Sequence, residues 1–234
     1  MPTSTTTARI EALPVAAARG TAVVFGGRGE TPEVYRRLAD RLAADGYRVV
    51  AFGAVEPGTV EAARAELDRT EAGPRIVVAS DSGVAAAWRA VADGDLVVDG
   101  LVVAGALTAS GSHDVGGDAE IAERTACPVH RGRLGIDGVL ERGALASHGA
   151  ADEVDAALAG RVPAPVLAFH GEVDGVSDID AAVAVYRALP DVRAFGLEGG
   201  LHDVLNDLSH RSVAAQIVQF AERLRTPDHG LRSI

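Results

Sequence analysis

Three side chains far apart in the sequence are of types that support chemistry at a carbonyl or a saturated carbon: Asp81, Asp174 and His202. Asp81 is the middle residue of ASDSG, residues 79–83, between the apolar run RIVVAS and the small-residue run SGVAAAW. Ala79 and Gly83 suit a tight strand-to-helix turn, which leaves little room for side chains and holds its central residue strained at a helix N-terminus, where the dipole favours a carboxylate. Asp174 follows an apolar run in AFHGEVDGVSD, and His202 lies in the Gly-rich LEGGLHDVLND. A carboxylate is already anionic near neutral pH and can attack without a base. An imidazole steered by a second acid can activate water. At this level two plainer roles stay open: Asp81 as a helix cap, and His202 as a structural or surface residue.

The elements that must position these groups are readable from hydropathy. Strand-like runs occur at 21–26, 47–53, 75–80, 95–105, 164–171 and 192–199. Between most of them lie helical patterns. In PEVYRRLADRLAADG, Val34, Leu38 and Leu42 recur every four residues and Gly46 supplies a stop. SDIDAAVAVYRALP predicts a helix capped by Ser177, with Asp180 in its first turn and Pro190 at its end, and VLNDLSHRSVAAQIVQFAERL predicts a long closing helix. Buried strands alternating with helices imply an α/β fold with a mostly parallel, doubly wound sheet and helices on both faces. Residues 108–163 break the rhythm with a segment rich in Gly, Asp, Arg and His. An insertion of that length predicts a short, partly helical cap over a binding site. The expected organisation is a single domain over 1–234 carrying this cap, with TPDHGLRSI as a loose tail.

Composition narrows the partners. With 33 acidic and 22 basic side chains, the net charge of −11 repels nucleic-acid phosphates over most of the surface. The cluster HRGRL at 130–134 reads as a solvated patch. No apolar run approaches the roughly 20 residues that span a bilayer. The opening MPTSTTTARIEALP lacks the basic start and apolar core of an export signal, which predicts a cytoplasmic protein without membrane insertion. One cysteine, Cys127, excludes an internal disulfide, and its neighbours do not offer zinc-ligand spacing. GGRGE lacks the Lys and Ser/Thr of a phosphate-binding loop and the spacing of a dinucleotide fingerprint. The expected partner is a small-molecule substrate, with no metal and no organic cofactor. Self-association is left open.

The order elbow, acid, histidine, each at the end of a strand-like run, is the order of the α/β-hydrolase triad. Over nearly its whole length the chain resembles α/β-hydrolases of the monoacylglycerol-lipase or lysophospholipase-like branch. FGGRGETPEVYRRLADRLAADGYRV resembles the segment written HGxGE followed by Tyr, with Gly26 in place of the usual His; HGEVD resembles the acid motif and GGLHDVLND the histidine motif. The resemblance implies that Asp174 orients, His202 is the base, and the backbone amides of Arg28 and Ser82 form the oxyanion hole. It departs at the nucleophile, where that branch carries serine and this chain carries Asp81.

An aspartate there leaves three readings open. In the first, as in α/β-hydrolases resembling dehalogenases and epoxide hydrolases, Asp81 attacks carbon and His202 activates the water that cleaves the resulting ester. An ester, lactone or thioester follows from the overall resemblance, an epoxide or carbon–halogen bond from Asp81. The insertion contains no Tyr, Trp or Phe to protonate an opening epoxide, and Ser82 rather than Trp follows Asp81. His113, His130 and His148 could donate protons, though solvated loop positions are expected for all three. In the second reading Asp81 and Asp174 flank His202, raise its pKa and keep it protonated for a non-hydrolytic elimination, cyclisation or decarboxylation. In the third the protein is a catalytically inactive ligand-binding relative. Ser80 and Ser82 should point away from substrate, Trp88 is expected in the core, and Arg124, Cys127, His130 and Arg131 could face the pocket from the insertion.

Overall fold

The computed structural model describes residues 7–116 and 119–226; the expected loose tail lies almost wholly outside these residues. Seven strands form one sheet: β1 (Arg9–Ala12), β2 (Thr21–Gly26), β3 (Arg48–Ala54), β4 (Arg75–Ser80), β5 (Gly100–Ala104), β6 (Val166–Gly171) and β7 (Val192–Leu197). Their order is β1-β3-β2-β4-β5-β6-β7. β1 runs antiparallel to β3 and the other neighbours are parallel.

The strand sequences explain this arrangement. β4 is buried along almost its whole length, with Ile76 and Val78 packed in the apolar layer on one face of the sheet and Val77 and Ala79 in the layer on the other. A strand covered on both faces reads as a continuous apolar run, and helices must supply the cover. α1 (Arg36–Ala44), entered through a 3-10 turn at Pro32–Tyr35, and α8 (His210–Arg225) cover the first face. α2 (Thr59–Asp68), α3 (Ser82–Ala92) and α7 (Ile179–Tyr186) cover the second. Trp88 on α3 is fully buried and meets Tyr186 edge to face, as its expected core role requires.

Three boundaries differ from expectation. The fifth strand begins at Gly100 rather than residue 95, because the Leu96 N–H turns back to the Ala90 carbonyl and Asp99 bridges to the backbone of Arg75. Asp178, not Ser177, caps α7, its carboxylate accepting the Ala181 N–H; Ser177 is buried and donates its hydroxyl to the Ala106 carbonyl. The closing helix starts at His210, since Val204–Ser209 is occupied by turns around Asp203 and Asp207. β1 adds a short edge strand that the opening stretch did not announce, with Ile10 and Ala12 facing in and Arg9 and Glu11 facing out.

Between β5 and β6 the chain forms α4 (Glu120–Arg124), α5 (Pro128–Leu134), a 3-10 turn at Ala144–Ala146 and α6 (Ala156–Ala159), linked by isolated bridges rather than strands. This segment is partly helical. Strand order reverses around β2 and β4, and in open parallel sheets ligands occupy the crevice beyond the carboxyl ends of the strands at such a point. Arg28 follows β2 and Asp81 follows β4 at that point; Asp174 and His202 follow β6 and β7.

Candidate active site

Asp81 occupies the turn from β4 into α3 with φ 51° and ψ −127°, the one non-glycine residue with positive φ among the described residues. An L-residue held there stores strain that its surroundings must hold in place. Those surroundings are tight: a Cβ on Gly83 would lie 2.7 Å from the Gly26 carbonyl oxygen, and one on Gly27 would lie 2.5 Å from the Asp81 Cβ. The Asp81 N–H donates to the Ala104 carbonyl at 3.0 Å. Its carboxylate does not cap α3, so the plainer role fails.

That carboxylate instead meets His202 and Arg28. His202 Nε2 is 3.2 Å from Asp81 Oδ1, and His202 Nδ1 is 2.8 Å from Asp174 Oδ2. Asp174 is itself held by the Val176 and Ser177 N–H groups, which donate to its Oδ1 at 2.8 and 2.9 Å. The three residues singled out from sequence therefore form one hydrogen-bonded chain. Asp81 and His202 are only 1% and 2% exposed, and the Asp174 side chain is covered although the residue as a whole is half-buried.

Arg28 contributes more than the backbone amide that the resemblance implies. The Arg28 amide donates to Asp81 Oδ2 at 2.7 Å, and the guanidinium grips the same carboxylate, with Nε 3.0 Å from Oδ2 and Nη2 2.8 Å from Oδ1. Nη1 donates to the Ser147 carbonyl of the insertion at 3.1 Å. The amide expected to stabilise an oxyanion is thus engaged by the carboxylate of Asp81. Ser82 opens α3 and is half-buried; Ser80 is buried at the end of β4.

Electrostatics follow from this geometry. Burial disfavours the charged form of His202, but the charges and hydrogen bonds of Asp174 and Asp81 outweigh it and push the imidazole up to about 10. Burial likewise favours a neutral Asp81, yet the hydrogen bond and charge of His202, joined by Arg28, hold it well below the usual carboxylate range. Asp174 is also lowered: burial opposes its ionisation and the charge of His202 overrides that. The resting cluster is Arg28 and His202 as cations against Asp81 and Asp174 as anions. His170 borders this cluster, its Nε2 3.5 Å from Asp174 Oδ2. Burial pushes its pKa down, its Nε2 contacts the Ser177 carbonyl at 2.8 Å, and its Nδ1 is 3.2 Å from the Tyr186 hydroxyl.

Behind the site lies a second buried polar network. Arg124 of α4 is fully buried and donates to the Arg28 carbonyl at 2.7 Å, to Glu30 at 3.1 Å and to Glu120 at 3.1 Å. Glu30 in turn accepts the Gly27 N–H at 2.7 Å and the Tyr35 hydroxyl. The expectation of a solvated His130 is corrected here: the ring is buried and pairs with Asp203, next to His202 in the chain. His113 is exposed as expected, and His148 is half-buried between Asp114 and Glu153. Arg131 donates to the Thr125 carbonyl at 2.6 Å, and Cys127 is a buried free thiol beside Arg37. Gly26 stands where the resembled segment has His because a Cβ there would meet the Gly53 backbone at 2.8 Å and the Tyr35 ring at 3.0 Å.

A lone arginine in a Gly-rich loop gives little warning of its partner, but an aspartate in an elbow that must be buried does require a counter-charge. That requirement was the available signal for Arg28. Among the described residues no group of three or more His, Cys, Asp or Glu side chains is arranged to hold a metal ion, and no helix is long and apolar enough to cross a membrane.

No family model matches the chain, and no curated protein does. Solved structures match along nearly its whole length. It is similar to the monoacylglycerol lipase of Paleococcus ferrophilus, at 18% identity and TM-score 0.72, covering 92% of this chain and 98% of that one. A soluble variant of the Saccharomyces cerevisiae monoglyceride lipase aligns at 17% identity and TM-score 0.72, covering 93% and 91%. A thermostable carboxyl esterase of Bacillus coagulans aligns at 15% identity and TM-score 0.68, covering 93% and 94%. At these identities the likeness establishes architecture, and with its sheet order, elbow and strand-end site the chain has the α/β-hydrolase fold.

Proposed function

We propose that the protein is an enzyme that hydrolyses a small organic molecule through a covalent intermediate on Asp81, an ester when the attacked carbon is saturated and a mixed anhydride when it is an acyl carbon. The observation that carries this reading is the contact chain Asp174–His202–Asp81, with the two hydrogen bonds of the imidazole at 2.8 and 3.2 Å. In the first step an Asp81 oxygen bonds to the electrophilic carbon and the leaving group departs with the electron pair. For an acyl substrate the leaving alkoxide or thiolate takes the proton of the resting His202 imidazolium; a halide leaves without one.

Covalent bond formation removes the charge of Asp81, one of the influences that raise the His202 pKa. Where a halide has left, the imidazolium first releases its proton to solvent; on either route the neutral imidazole then takes a proton from water as the hydroxide attacks the Asp81 carbonyl carbon. Asp174 stabilises the imidazolium so formed. The tetrahedral oxyanion lies where the Arg28 backbone amide donates, and its collapse restores the carboxylate and releases the product. The Ser82 amide is the second oxyanion donor in this reading, and residues 108–163 act as the cap that excludes water.

A non-hydrolytic acid–base reaction is the second reading, favoured by one observation: the Arg28 fork and the imidazolium together hold Asp81 as a fully paired anion, which blunts its nucleophilicity. Intact-mass analysis of a His202→Gln variant mixed with candidate esters, lactones and alkyl halides separates the two. The hydrolytic reading expects an adduct that accumulates on Asp81 because water is no longer activated. An active enzyme whose His202→Gln variant never carries an adduct supports the acid–base reading.

A further inference from the structure

Arg28 is 8% exposed, and Asp81 is its one carboxylate partner among the described residues. The nearby acids are committed elsewhere: Asp174 to His202 and backbone amides, Glu30 and Glu120 to Arg124. Covalent chemistry on Asp81 would therefore strip a buried guanidinium of its counter-ion at the moment the ester forms. A neutral substrate offers no replacement, and an uncompensated buried charge is among the costliest states a protein can adopt. A planar guanidinium fork matches a carboxylate in a bidentate pair.

We infer that Arg28 is the specificity-determining residue and that the substrate is a small organic acid whose own carboxylate takes the guanidinium fork from Asp81. The inference rests on the reading of Asp81 as nucleophile. Exchange of one carboxylate for another releases Asp81 for attack while Arg28 stays paired throughout. The same geometry fixes where the anion sits on the substrate. The fork lies within 2.8–3.2 Å of both Asp81 oxygens, and a reacting carbon must approach one of those oxygens to about 3–3.5 Å. The substrate carboxylate is therefore one or two bonds from the reacting carbon. The Ser147 carbonyl, which already accepts from Nη1, keeps the guanidinium oriented as its partner changes.

The test uses propionate as a probe that cannot react. Asp81→Asn vacates the fork, so this variant is expected to bind propionate at least about tenfold more tightly than the unaltered protein, and Asp81→Asn combined with Arg28→Met is expected to lose that binding. Equal binding by all three proteins, or none by Asp81→Asn, overturns the inference. As a measurement free of folding defects, the Arg28 Nε–H resonance of the unaltered protein should shift on titration with propionate and not with propionamide. A like shift with inorganic phosphate would overturn the assignment to a carboxylate, and an unmoved resonance would overturn the exchange. Failure here is distinguishable from failure of the covalent reading: adducts on Asp81 formed equally from acids and their amides would leave the nucleophile standing and remove the role of Arg28.

Discussion

The guanidinium of Arg28 spans both carboxylate oxygens of Asp81 while its backbone amide holds one of them, so one residue supplies the charge and the dipole that keep an aspartate ionised inside the protein. Arg28→Met should leave that carboxylate buried with His202 as its remaining partner. Removing one member of a buried pair typically costs about 3–5 kcal/mol, and urea denaturation should show a loss of that order. Adding Asp81→Asn should recover much of it, because the uncompensated charge is then gone; additive losses would mean the fork contributes little.

His202 and the two acids give stability opposite pH dependences. Its folded pKa is about 10, above the unfolded value near 6.5, so its contribution is complete below about pH 6.5 and is lost as pH rises through 10. Asp81 and Asp174 are lowered, so their contributions are present above about pH 3.9 and fade as pH falls through their folded values. The urea midpoint of the unaltered protein, minus that of His202→Gln, should therefore decline between pH 7 and 10. Ring-nitrogen NMR should show both His202 nitrogens protonated at pH 7.5, and a neutral ring would remove the basis for this window.

Much of this geometry is legible in the chain because it is local. Each of Asp81, Asp174 and His202 follows an apolar run, and parallel strands deliver the residues that follow them to one edge of the sheet. What local pattern does not encode is which distant charges meet. Arg28 and Asp81 are 53 residues apart, and His130 and Asp203 are 73 apart. The HRGRL cluster looks solvated by composition, yet burial of His130 follows from Asp203, whose position depends on the turn after His202. The start of α8 is masked in the sequence for a related reason: the apolar spacing continues through Val204 and Leu205, while side chains of the turn claim the backbone, Asp207 accepting the Ala126, Cys127 and Leu201 N–H groups.

Gly27 is the position where the smallest side chain should do the most local damage. A methyl group there would collide with the Asp81 Cβ and Oδ2, at 2.5 and 2.7 Å. Gly27→Ala is expected to displace the carboxylate from Arg28 and His202 and to reduce turnover by roughly a hundredfold or more, as misplacement of a reacting group by about 1 Å can do. Far-ultraviolet circular dichroism should stay unchanged, and turnover within twofold of the unaltered enzyme would show that the elbow is looser than its contacts imply.

Asp174→Asn should remove the larger of the two charges that raise the His202 pKa and lower that pKa toward neutrality. In the hydrolytic cycle the loss falls on the water step. Triad acids of this kind contribute on the order of 10⁴-fold to turnover, and a loss approaching that size is expected, with a burst of leaving group preceding slow release of product. A burst-free loss would place Asp174 in the first step instead.

The most direct test is a single turnover in oxygen-18 water followed by mass analysis of the peptide carrying Asp81. With a substrate attacked at saturated carbon, hydroxide attacks the carbonyl carbon of the aspartyl ester, so one labelled oxygen is expected to remain in the Asp81 side chain while the alcohol product carries none. An active enzyme that places the label in product and leaves Asp81 unlabelled would contradict the covalent account.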